Sequence, residues 1–168
     1  MANRHDNRGG RARVCLGSLT RWPPWPFHFE TDPVTPGEIL LRTIPNSSGY
    51  YTPEDGIQRL SFEPRQIDDD GISLYRLNFL TAEKLASNNT HAKGVWVAAI
   101  PAQAFFGNSL TILPTLSTLP GHVIVPELNY PRWSGANKAD KIILKDWMVA
   151  LAHAAHLKHG PTAPRLTS

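Results

Sequence analysis

Cysteine occurs once in the 168 residues, at Cys15, so no internal disulfide framework can staple the fold. Long apolar runs are missing as well. Residues 14–19 (Val-Cys-Leu-Gly-Ser-Leu) are too few for a signal-peptide core, and no other segment approaches the ~20 residues of a membrane span. Both absences lead us to expect a soluble, cytoplasmic protein with no membrane partner. A glycine-rich phosphate loop is absent, and no repeat emerges at any period. His153, His156 and His159 recur in steps of three, which drift around a helix, and they lack the carboxylate of a zinc-protease motif. No metal site is expected.

The net charge of +3 is a property of one end of the chain. Residues 1–21 carry five arginines against Asp6 alone, and the remainder has twelve cations against thirteen acids. Arg4, Arg8, Arg11 and Arg13 alternate with asparagine and glycine, a composition too polar to bury surface, so residues 1–21 read as a disordered basic tail. Such a tail is either a solvated leader or an arm for nucleic-acid phosphates, and the absence of rings among its arginines favours the first.

What the chain has in quantity is proline. Trp22-Pro23-Pro24-Trp25-Pro26-Phe27 alternates rings with prolines, which favours an extended stretch lying on the domain surface. Thr35-Pro36-Gly37-Glu38 has capping-box spacing and predicts a helical turn before the strand at 39–44. Further strands are expected at 59–63, 72–77, 94–100, 110–113 and 121–125. The run at 94–100 is apolar throughout, as in a strand covered on both faces. Short helices are expected at 82–87 and 101–106. A long helix begins at Asn137, with Ile143, Trp147, Leu151 and Ala155 as its apolar stripe and Ile142, Leu144 and Met148 beside them, and ends at Gly160-Pro161. Strands first and helices late define an α+β fold: one compact domain over 22–160, a mostly antiparallel sheet, a long C-terminal helix, and a frayed end at 161–168.

Polar residues in apolar strand contexts mark the candidate site. Asp68-Asp69-Asp70-Gly71 opens one strand, and such carboxylates must be solvated, hold a cation or meet cationic partners. Arg42, between Leu41 and Ile44, is either an edge charge facing solvent or a guanidinium in a polar pocket. Ser73, His122 and Glu127 are the catalytic candidates, and Arg42, Asp70, Tyr75 and Arg76 the ligand-binding ones.

The order Arg42, Ser73, Glu127 resembles the sequential signature of ADP-ribosyltransferase-like folds. That resemblance implies an NAD- or nucleotide-handling enzyme, with a toxin-like activity as one form of it. In it Arg42 would hold a phosphate or ribose, Ser73 would support the nicotinamide pocket, and Glu127 would steady the oxocarbenium charge. The strand Leu40-Leu41-Arg42-Thr43-Ile44-Pro45, then Asp70-Gly71-Ile72-Ser73-Leu74-Tyr75-Arg76 and Pro120-Gly121-His122-Val123-Ile124-Val125, is similar to small bacterial proteins to which no activity is assigned. The leading expectation is an accessory or protein-interaction domain with a protein partner. The transferase-like enzyme, with NAD, is the alternative.

Overall fold

The computed structural model describes residues 30–89 and 94–161; the tail at 1–21, the ring–proline segment at 22–27 and residues 162–168 lie outside them. The fold is α+β. Six strands, β1 (Ile39–Pro45), β4 (Ile72–Arg76), β5 (Val95–Pro101), β6 (Leu113–Pro114), β7 (His122–Val125) and β8 (His156–His159), form one sheet in the order β6-β7-β4-β1-β5-β8. Every pairing in it is antiparallel. A separate hairpin joins β2 (Tyr51–Thr52) to β3 (Gly56–Ile57).

Alternation along the strands builds two cores. On the first face Leu40 and Ile44, Ile72 and Leu74, Ala98 and Ile100, and Val123 and Val125 meet Leu144, Met148, Leu151 and Ala152 of the long helix α4 (Lys138–Ala154). Phe105 of α2 (Ala102–Phe106) and Phe62 of a 3₁₀ turn (Arg59–Phe62) complete that core. On the second face Leu41, Val95, Val97 and Ala99 pack under α1 (Ala82–Ser87), whose contacts lie on β1, β5 and β8. β5 is therefore covered on both faces, as its continuous apolar run requires.

Local chemistry explains the element ends. Thr81 caps α1 by accepting from the Lys84 N–H, and Asn137 caps α4 by accepting from that of Asp140. Gly71, at φ +138°, lies where a Cβ would stand 2.5 Å from the Val125 carbonyl oxygen, so only glycine lets β4 begin against the end of β7.

Five expectations need correction. In place of the strand expected at 59–63, Arg59–Phe62 forms a 3₁₀ turn, because the Ser61 N–H donates to the Gln58 carbonyl and Arg59 bridges to Glu63 at 2.6 Å. Thr35–Glu38 closes a turn without a helix: the Thr35 N–H donates to the Glu38 carboxylate (2.7 Å), which is held in place by Arg76. The strand expected at 110–113 is confined to Leu113–Pro114, while Leu110 and Ile112 are core residues outside the ladder. The long helix stops at Ala154, since residues 156–159 alternate in burial and pair with the edge of β5. Its buried residues alternate in steps of three and four, because steps of four alone advance 40° per turn and leave the core. Ile143 is thus 49 % exposed and Trp147 half-buried under the Arg132 guanidinium. A third helix, α3 (Tyr130–Gly135), precedes it.

The two readings of α4 differ in what substitution does. Met148→Ala removes a fully buried side chain and should cost about 2–5 kcal/mol. Ile143→Ala should change stability by no more than about 0.5 kcal/mol in urea unfolding. Equal losses at both positions would contradict the observed facing.

Candidate functional site

The two arginines of the candidate list point into the first core. Arg76 is wholly withdrawn from solvent, and its Nε and Nη2 donate to the two Glu38 oxygens at 2.7 and 3.0 Å. Its Nη1 also donates to the carbonyls of Glu30 (3.2 Å) and Asp32 (2.9 Å), with the charge over the Phe79 ring. Arg42 lies on central strand β1, not at an edge, and its guanidinium donates to the carbonyls of Ser61 (Nε, 2.6 Å) and Ser73 (Nη1, 2.9 Å). Burial lowers its pKa to about 10, partly offset by the buried Asp68 carboxylate, so it stays charged at neutral pH.

The need for Arg42 comes from the sheet itself. Along β4 the Ile72 and Arg76 N–H groups donate toward Leu128 and Gly121, whereas Leu77 donates to Ile39. Backbone groups of alternate residues therefore point to β1, those of Ser73 among them. The β1–β4 pairing covers Leu40–Arg76 and Leu41–Tyr75 and goes no further toward Ser73. Arg42 supplies the Ser73 carbonyl with a donor where the ladder stops.

The opposite face gathers a different set. Thr115, just past β6, lies in one row with His122, Tyr75 and Leu41 of β7, β4 and β1, and Leu113, Ile124 and Ser73 lie in the next. The Tyr75 and His122 rings sit 5.1 Å apart at 58°. His122 Nδ1 and the Thr115 hydroxyl share a hydrogen bond of 2.5 Å, and the Ser117 hydroxyl lies close to the Tyr75 phenol. Both rings are half-buried. Burial pushes the His122 pKa down against the opposing field of Asp70, and pushes the Tyr75 pKa up against the pull of the Ser117 hydroxyl. Both are neutral at pH 7 and offer an aromatic surface edged with hydroxyls.

Of the candidates, Ser73, Tyr75 and His122 thus share one face, with Asp70 exposed nearby, while Arg42 and Arg76 occupy the other. Ser73 lies diagonal to His122, whose ring nitrogen is hydrogen-bonded to the Thr115 hydroxyl instead. The Glu127 carboxylate accepts from the Thr111 N–H at 3.1 Å. Thr115 and Ser117 were not among the sequence candidates. The signal available was the Pro120-Gly121 turn, which folds residue 115 opposite residue 122. Among the described residues no group of three or more His, Cys, Asp or Glu side chains is placed to hold a metal ion, and no helix is long and apolar enough to cross a membrane. No protein family, no curated protein and no solved structure matches the chain.

His122 makes a pH prediction. Its folded pKa lies below the unfolded value of about 6.5, so the unfolded chain takes up the proton first as pH falls. Stability is complete above that value and declines from about pH 7 toward pH 5. Chemical unfolding of His122→Gln should show a flatter profile in this window. An unchanged slope would remove His122 as its source.

Proposed function

We propose that the chain is an accessory protein-interaction domain that takes an extended, proline- and tryptophan-bearing peptide across β4, β7 and β6. The observation that carries this reading is the tilted Tyr75–His122 pair, edged by the Thr115 and Ser117 hydroxyls. Rings flanked by hydrogen-bonding tips suit a peptide whose carbonyls are free, as they are in a polyproline helix. Leu113, 43 % exposed, stands in the neighbouring row of this face, on the shortest edge of the sheet. α1 covers the other half of this face.

The NAD-handling alternative has less support. Its arginine, serine and glutamate would have to converge on one dinucleotide, yet Arg42 is engaged by carbonyls within the first core, Ser73 faces the other way, and Glu127 bonds Thr111. In the favoured reading the protein works in the bacterial cytoplasm with a protein partner. Any nucleic-acid contact falls to the basic residues 1–21.

The test uses the chain with Trp22, Trp25 and Phe27 changed to alanine, so that its own rings cannot compete. A labelled peptide carrying Trp-Pro-Pro should bind with micromolar affinity by fluorescence anisotropy. Tyr75→Ala, or the surface change Leu113→Glu if the first variant is unstable, should weaken it at least ~10-fold, about 1.4 kcal/mol. Absence of binding, together with a thermal shift on adding NAD, would overturn the reading in favour of the enzyme.

A further inference from the structure

Of the exposed large apolar side chains among the described residues, Ile142, Ile143 and Val149 lie on α4, more than on any other element. At about 100° per residue, Ile142, Asp146, Val149 and His153 fall along one line, on the side of the helix away from the buried Leu144, Met148 and Leu151. All four are exposed, Ile142 at 53 % and Val149 at 38 %. α4 therefore carries a second, narrower apolar seam that turns away from its own domain.

The charges beside this seam are self-complementary. Lys145 lies about 50° to one side of the Ile142–Val149 line and Asp146 about 50° to the other. Neither has an opposite charge three or four positions away along the helix, and neither joins an ion pair among the described residues. A two-fold axis along α4 sets two copies of the helix parallel and lays each flank of the seam against the opposite flank of the other copy. Ile142 and Val149 then meet their own counterparts, and each Lys145 stands beside an Asp146. An antiparallel pair would instead bring lysine to lysine and aspartate to aspartate.

We propose that the outer face of α4 is a contact between two copies of this chain, packed parallel through Ile142 and Val149 and held in register by reciprocal Lys145–Asp146 pairs. Two helical turns bury less than the ~1,200 Å² of a stable interface, so the dimer forms and parts reversibly. α4 covers the sheet face opposite Tyr75 and His122, so both of those surfaces point outward in the dimer. If they take peptides, a partner with two such segments gains avidity. The dimer contact itself stands apart from the peptide reading.

Sedimentation equilibrium of the full chain tests the contact, with substitutions confined to exposed positions. The unaltered chain should dimerise with a Kd of roughly 100 μM, as suits so small an interface. Lys145→Glu and Asp146→Lys should each weaken dimerisation at least ~10-fold, because like charges then meet at both pairs. An equimolar mixture of the two variants should dimerise again, since every facing pair is then of opposite sign. An unaltered chain that stays monomeric at about 1 mM would overturn the proposal. Variants that dimerise as well as the unaltered chain, or a mixture no more associated than its components, would overturn it too.

Discussion

The fold turns on one buried ion pair. Arg76 would be untenable away from water without its full set of acceptors, because an uncompensated interior charge costs several kcal/mol. Glu38 meets it with both oxygens, and the carbonyls of Glu30 and Asp32 take further donors. Burial alone would raise the Glu38 pKa, but the hydrogen bonds from Arg76 and Thr35 outweigh it and hold the carboxyl below its ordinary value. Fixing Glu38 also fixes the start of β1. The Glu38 carbonyl accepts from the Ala102 N–H and that of Ile39 accepts from Leu77, which aligns β1 with α2 on one side and β4 on the other.

Arg42 extends the same economy to the middle of the sheet. β1 and β4 part after two paired positions, and a side-chain donor replaces a backbone one. Because Arg42 and Arg76 lie on the face covered by α4, the two arginines of the candidate list serve the core. The face left to do other work is neutral and aromatic, with Tyr75 and His122 at its centre. These assignments rest on strand parity, since residues 72, 74 and 76 cannot share a face with 73 and 75.

The α+β class, the start of α4 and the four strands β1, β4, β5 and β7 were legible in the sequence, because caps such as Thr81 and Asn137 and alternation such as that of 72–76 are local signals. The failures were non-local. Residues 59–63 alternate like a strand, yet the Ser61 carbonyl is needed by Arg42, nineteen positions away. Residues 156–159 continue a helical pattern until the free edge of β5 offers backbone partners. The site was half legible for the same reason. Ser73, Tyr75 and His122 stood out as polar or aromatic residues within apolar strands, while Thr115 and Ser117 gain meaning only from the register that brings them to His122 and Tyr75. Nothing in the local pattern around Arg42 distinguishes a ligand-gripping guanidinium from one that repairs a sheet.

Hydrogen–deuterium exchange tests the division of labour between the two faces most directly. The chain lacking its three N-terminal rings should be followed with and without saturating Trp-Pro-Pro peptide. The account predicts added protection in residues 72–76, 113–114 and 122–125, with α4 unchanged. Protection confined to α4, or to the β5–β8 edge, would contradict it.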